Sequence, residues 1–201
     1  MKRLVLLLIS FLSIQLFSQN IDISILRSLN SPEAAPSDNF FKLVSNTNNY
    51  IVVGIPIGLG VAGLLNHDKQ MSRNATLIIA ANVINYGVSY IFEHAVNRNR
   101  PFITYTDITA KSVTKDSSFP SGHTSSAFAT ATSLSLSYPK WYVVAPSYLW
   151  AGTVGYSRMH LGVHYPSDVL GGAVIGAGSA LITHKLNKWL NNRCEKKHAA
   201  N

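Results

Sequence analysis

The sequence predicts an all-α fold, a helical bundle whose helices span a membrane. Three observations carry that expectation. Hydrophobic residues make up 47% of the 201-residue chain and charged residues only 13%, against roughly 25% charged residues in soluble domains. Five apolar segments are separated by short polar stretches, and no β alternation, internal repeat or low-complexity segment divides them. Glycines punctuate two of those segments, as close helix packing in lipid requires.

In chain order, Lys2 and Arg3 precede an apolar run from Leu4 to Phe17 and then polar Ser18, Gln19 and Asn20. Residues 1–19 therefore read as a signal peptide or an N-terminal anchor. Leu16 stands three residues before a cut after Ser18, and a small residue is expected there, so both alternatives stay open. Residues 20–39, with Pro32 and Pro36, form a polar N-terminal segment. The five helices are expected near Ile51 to Leu65, Ala75 to Val96, His123 to Ser137, Trp141 to Tyr156 and Val169 to Thr183. Several fall short of the roughly 20 residues that span a bilayer, and the polar flanks Phe40 to Tyr50, Pro120 to Ser126 and His184 to Leu190 would lengthen them. Gly54, Gly58, Gly60 and Gly63 mark one segment; Gly171, Gly172, Gly176 and Gly178 mark another. Residues 40–190 are one helical domain, and residues 191–201 are a basic C-terminal tail.

Charge and cysteine content remove some function classes. The formal net charge is +8, yet the basic residues gather at the ends of apolar segments and do not interleave with aromatics, so no nucleic acid partner is expected. Cys194 is the single cysteine, which excludes an intramolecular disulfide.

The chemistry-bearing residues lie between and at the ends of the apolar segments. In Ser157 to Asp168, Arg158 offers a planar fork of donors suited to two phosphate oxygens. His164 follows as a candidate nucleophile toward phosphorus, and Asp168 as the carboxylate that would orient it. Pro166 and Ser167 predict a helix start, with Ser167 as cap and Asp168 in the first turn. Alone, this segment reads equally well as a dipole-complementing aspartate beside a solvated loop.

A second segment, Phe119 to Ser125, breaks that tie. Ser121 reads as an N-cap, Gly122 as a place where backbone approaches a ligand, and the free amides of the helix start as an anion site. His123 there is placed to protonate a departing alkoxide. The third segment, Asn97 to Pro101, ends a long apolar run with Arg98 and Arg100, which alone is an ordinary orientation signal.

The three together resemble the motifs of the type 2 phosphatidic acid phosphatase superfamily, which also includes bacterial class A acid phosphatases and vanadium haloperoxidases. The resemblance covers roughly residues 40 to 190, and its last two motifs match at every defining position. It implies a phosphatase in which His164 forms a phosphohistidine, Asp168 supports it and His123 protonates the leaving group. It also implies that Arg100, Arg158, Ser121 and the Gly122 amide hold the phosphoryl oxygens, and that no metal or other cofactor takes part. The implied partners are a phosphorylated lipid substrate and the bilayer.

One position departs from the pattern. The family's first motif resembles Lys, six residues, Arg, Pro, and counting back from Arg100 reaches Glu93. A carboxylate there repels a phosphate, so Glu93 is expected to turn away or to be compensated by a cation such as Arg98.

Topology supplies an independent argument. If each apolar segment crosses once and the mature N-terminus lies outside the cytoplasmic membrane, Lys69, Arg73, Lys140 and the basic tail fall inside. The same alternation gathers Arg100, His123, Arg158 and His164 on the outer side, which puts the active site at one end of the bundle, facing the periplasm. Lys111 and Lys115 fall outside against the trend and read as solvated loop residues. His160 reads as a loop or supporting histidine, and Asn82 and Asn85 as interhelical hydrogen-bond partners.

The leading expectation is a membrane phosphatase acting on a lipid phosphomonoester or pyrophosphate: phosphatidic acid, phosphatidylglycerophosphate, a polyprenyl diphosphate or a lipid A phosphate. Its rivals are a soluble periplasmic acid phosphatase of broad specificity, kept open by a mean hydropathy of only +0.14, and an inactive membrane protein that binds a lipid.

Overall fold

The structure is a computed structural model that describes residues 21–198 apart from 32, 113 and 115; the side chains of 194–198 are likewise outside the description. The expected signal peptide or anchor at 1–19, Pro32 and Lys115 lie outside the described residues. A helix, α1, covers residues 21–29. It is followed by α2 (Ser37–Leu65), α3 (Lys69–Val96), the single turn α4 (Pro101–Thr104), α5 (Gly122–Ser137), α6 (Trp141–His160) and α7 (Pro166–His198).

Each of the five expected helices forms and extends into its polar flanks. Helix α3 begins where Asp68 accepts hydrogen bonds from the amides of Gln70 and Met71, both at 2.9 Å, which satisfies two donors a helix start leaves free. It ends at Asn97, whose left-handed backbone (φ 42°) stops the spiral. The three-residue link from Asn66 to Asp68 makes α2 and α3 antiparallel neighbours, and a Cβ added to Gly63 would stand 2.5 Å from Ser72 Oγ. Of the four α2 glycines, Gly63 alone is a tight contact. Gly54 and Gly58 face open space, so close packing is not what they provide.

Helix α5 is the hub, packed by α3, α6 and α7. A Cβ at Gly172 would come within 2.7 Å of the Ser121 carbonyl, and one at Gly176 would collide with the Ser125 carbonyl. Only hydrogen at these positions lets α7 lie backbone against backbone on α5.

The polarity of the bundle is inverted relative to a water-soluble protein. Ser125, Thr130 and Ser133 on α5 are at most 1% exposed, while Leu149, Leu170 and Val174 are 68–73% exposed on the outside. Asn85 donates to Ser125 Oγ at 3.2 Å and Asn82 to Thr130 Oγ1 at 3.0 Å, so both asparagines join α3 to α5 as expected. An apolar exterior over hydrogen-bonded small polar residues suits lipid as solvent. Ser37–Leu65, Lys69–Thr104 and Pro166–Arg193 are long and apolar enough to cross a membrane. The protein is a membrane protein, which removes the soluble alternative. Helices α5, with 16 residues, and α6, with 20, are not among those three, although each was expected to cross the bilayer.

The polar N-terminal segment holds structure that the sequence analysis did not assign. Ile23 and Leu26 of α1 are buried with Ile108 and Tyr165. Beyond it, Asn30 donates to the carbonyls of Thr109 and His160 and accepts from the Thr109 amide. Lys111, expected to be solvated, is instead buried: its ammonium stands 2.9 Å from Asp38, whose other oxygen is 2.7 Å from His160 Nε2. A charge in the 105–120 loop is retained there because α2 brings a carboxylate to meet it.

Candidate active site

The ends of α3, α5 and α6 and the start of α7 converge at one end of the bundle, around a cavity of about 550 Å³. Arg100, Gly122, His123, Arg158 and His164 all line it. At the opposite end, Arg73 of α3 donates to Asn187 of α7 at 3.2 Å, on the side of Lys140 and the basic tail. The residues of the three motifs, far apart in sequence, thus share one end because three antiparallel reversals bring them there.

His164 sits in the turn between α6 and α7, 2% exposed. The turn is made possible by Gly162, with φ +72° and no room for a Cβ against Thr109 and Asn30. His164 Nδ1 lies 2.7 Å from the Ser118 carbonyl. A carbonyl only accepts, so Nδ1 carries the proton and the lone pair is on Nε2. Nε2 is 3.2 Å from Arg100 Nη1, which also donates to the Val163 carbonyl at 2.8 Å. Burial pushes the imidazole down to about 4, with Arg100 and Arg158 acting in the same direction and Asp168 opposing them. At neutral pH the ring is therefore uncharged, with Nε2 available.

Asp168 is fully buried, in the first turn of α7. It stands 3.8 Å from His164 Nδ1, so the hydrogen bond expected between them is not made. Its oxygens are taken by Ser118 Oγ at 2.5 Å, the Tyr165 amide at 2.9 Å and Arg98 Nη1 at 2.7 Å. The imidazole has a single Nδ1 proton, and Ser118 holds it. Asp168 instead fixes the residues on either side of the ring. Ser167 is not the helix cap: Pro166 is the first helical residue, and Ser167 uses its amide (2.9 Å) and hydroxyl to bind Asp22 of α1.

Ser121 does occupy the cap position of α5, but its hydroxyl lies 2.8 Å from Thr124 Oγ1 and caps no amide. The helix start thus has no side-chain cap, which leaves its amides directed at the end of the bundle where the cavity lies. A Cβ at Gly122 would meet nothing within 4 Å, in agreement with a position where a ligand approaches backbone. Arg158 is 2% exposed, with Nη1 bonded to Ser45 and Nε without a partner. A buried guanidinium nitrogen with an unmet donor beside a cavity is suited to an anion.

Arg98 does not compensate Glu93. It lies between Asp22 and Asp168, at 3.0 and 2.7 Å, with its guanidinium 3.9 Å from the Tyr165 ring centroid. Glu93 is not turned away either: it lines the same cavity and has no ion pair within 4 Å among the described residues. Residues missed in the sequence analysis are Ser118, Asp22 and Ser45, which hold His164, Arg98 with Ser167, and Arg158 respectively. No local pattern marks them. Ser118 works through its carbonyl, and the other two are far away in sequence.

Known proteins share this fold. The crystal structure of Aquifex aeolicus LpxE superposes with a TM-score of 0.71 at 28% identity, over 82% of this chain and 95% of that one. A transmembrane PAP2 type phosphatidylglycerolphosphate phosphatase from Bacillus subtilis has the same fold, with a TM-score of 0.71 at 20% identity, over 85% of this chain and 86% of that one. In sequence, the chain is 35% identical to undecaprenyl-diphosphatase BcrC of Bacillus subtilis over 97 residues, 48% of this chain and 47% of that protein. It is 37% identical to the lipid A 4'-phosphatase of Bacteroides thetaiotaomicron over 78 residues, 37% and 35% of the respective chains. The chain thus spans about half or less of the length of these two relatives. Residues 74–192 match the PAP2 superfamily, more than half of the chain, and with the fold in agreement the chain belongs to that superfamily.

Proposed function

We propose that this protein is a membrane phosphatase that hydrolyses a phosphomonoester or pyrophosphate on a lipid. The observation that carries the reading is His164, held with its proton on Nδ1 and its Nε2 lone pair beside Arg100, in a cavity shared with His123 and Arg158. In the first step His164 Nε2 attacks phosphorus, the bond to the leaving oxygen breaks, and His123 gives that oxygen a proton. Burial, with Arg158, His164 and Arg100 acting in the same direction, pushes His123 down to about 3, so this proton arrives with the anionic phosphate, whose charge offsets the two arginines. In the second, His123 takes a proton from water, the water oxygen attacks phosphorus and the P–N bond breaks, releasing phosphate and restoring the neutral imidazole. Arg100, Arg158 and the Gly122 amide stabilise the charge on the phosphoryl oxygens in both steps. Ser121, expected to join them, is fully buried with its hydroxyl against Thr124 and does not line the cavity. Asp168 acts through Ser118 and the Tyr165 amide to keep the ring in place.

The basic ends of the helices lie opposite the site, which under the positive-inside tendency directs the cavity to the periplasm. Relatives named for undecaprenyl diphosphate and for lipid A support a lipid substrate. The deciding experiment is phosphate release by purified protein from phosphatidic acid, phosphatidylglycerophosphate, undecaprenyl diphosphate and lipid A. The wild type should turn over at least one of them and trap an acid-labile, base-stable phosphoenzyme, and His164→Ala should lose both signals. Turnover retained in His164→Ala would overturn the assignment, and an inactive wild type would favour a lipid-binding role.

A further inference from the structure

Charges of both signs line the cavity: Arg100 and Arg158 with the two histidines, and Glu93 and Asp116 with Tyr86 and Tyr90. The two sets are neighbours, since Arg100 Nε donates to the Asp116 carbonyl at 2.7 Å. Glu93, Tyr90 and Tyr86 lie on successive turns of α3 and so present one stripe to the same opening. The two tyrosine rings stack at 6.5 Å, Tyr90 also packs on the His94 ring at 4.1 Å, and Tyr86, 73% exposed, keeps the more open ring. The buried, unpartnered Arg158 Nε offers a donor to a phosphate in this cavity. A phosphate ester bound there shares the cavity with two carboxylates, which accept hydrogen bonds and donate none.

Two arginines and two carboxylates line this cavity, so a substrate that is anionic throughout meets repulsion from the carboxylates. A group carrying hydroxyl or ammonium donors beside its phosphate meets acceptors there and an aromatic surface to rest on. We infer that Glu93 and Asp116 form an acceptor wall that selects phosphate esters whose headgroup bears hydroxyl or ammonium donors next to the phosphate, over donor-free phosphates and diphosphates. This rests on the reading of the cavity as a lipid phosphate site. Glu93 is partly buried and Asp116 exposed, so the discrimination comes from their charge: a headgroup with donors meets it with hydrogen bonds, and one without them meets only repulsion.

The test compares kcat/KM in detergent for lipid A, whose sugar supplies hydroxyls, for sphinganine 1-phosphate, which adds an ammonium, and for phosphatidic acid and farnesyl diphosphate, which supply neither. The wild type should prefer at least one donor-bearing substrate by about tenfold or more, and which one identifies the donor. Glu93→Leu should erase that preference while phosphatidic acid hydrolysis rises, a gain that also proves the variant folded. Asp116→Asn should weaken the preference in the same direction. Equal efficiency across the four substrates, or a preference that both variants leave unchanged, would overturn the acceptor wall alone. A wild type inactive on all four would overturn the phosphatase reading and the wall with it.

Discussion

The Ser118 carbonyl accepts the Nδ1 proton of His164 at 2.7 Å. This contact selects the tautomer that leaves Nε2 unprotonated and facing Arg100, and it does so through main chain, where no side-chain substitution removes the acceptor. The aspartate four residues on is close, but its hydrogen bonds are spent on the surrounding backbone and on Arg98.

The acid limb of the pH profile should reflect this burial. His164 is pushed down to about 4 from its ordinary 6.5, so it remains neutral until the pH falls through about 4. Nucleophile protonation should therefore not reduce kcat/KM between pH 7 and 5; the loss assigned to His164 comes below that. A rate of phosphoenzyme formation measured against pH under single-turnover conditions checks it. An acid limb of His164 centred near 6.5 would contradict the placement.

Asp22 should be a positioning residue for the site despite lying in α1. It accepts from the Ser167 amide at 2.9 Å and from Arg98 at 3.0 Å, and Arg98 in turn holds Asp168. Asp22→Ala removes a cap and one side of a partly buried ion pair, and should lower stability by about 2 kcal/mol. kcat should fall several-fold with KM little changed, and Asp22→Asn, which keeps an acceptor for Ser167, should restore part of kcat. Thermal unfolding in detergent and steady-state kinetics on the three proteins decide the point.

Two glycine substitutions should separate chemistry from packing. Gly122→Ala places a methyl in open space and should leave thermal stability within about 1 kcal/mol of wild type, while phosphate hydrolysis drops because the methyl occupies the approach to the helix amides. Gly176→Ala drives a methyl into the Ser125 carbonyl between α5 and α7 and should destabilise the bundle by about 1–3 kcal/mol. Unfolding midpoints and activity, measured side by side, should change in opposite proportion.

Lys111 should contribute to stability although it lies in a loop. Lys111→Met leaves Asp38 buried with His160 as its remaining side-chain partner, at an expected cost of about 2–3 kcal/mol. Lys111→Arg should recover part of it. A midpoint unchanged in Lys111→Met would show that the pair is solvated.

The legible part of this protein was what local sequence carries. Low charge with five apolar segments predicts helices in lipid, and the glycines of α7 predict its contact with α5, where Gly172 and Gly176 have no room for a methyl group. The motif residues Arg100, His123, Arg158 and His164 also come together as expected, because alternating helices return every second loop to the same end. The α2 glycines were misleading: composition marks where a close approach is possible, and neighbours decide whether it happens.

What only the tertiary structure decided is the supporting layer. Ser118, Asp22 and Asp38 act across 46, 145 and 122 positions of chain, on His164, Ser167 and His160. Glu93 is the same kind of case. The sequence by itself determined that a carboxylate stands where a cation is expected, and offered two ways to accommodate it. The fold directs that residue into the cavity and commits Arg98 to Asp22 and Asp168, so the cation that feels the Glu93 charge is Arg100. Side-chain chemistry is a property of the residue, whereas its partners are set by which helix faces pack together.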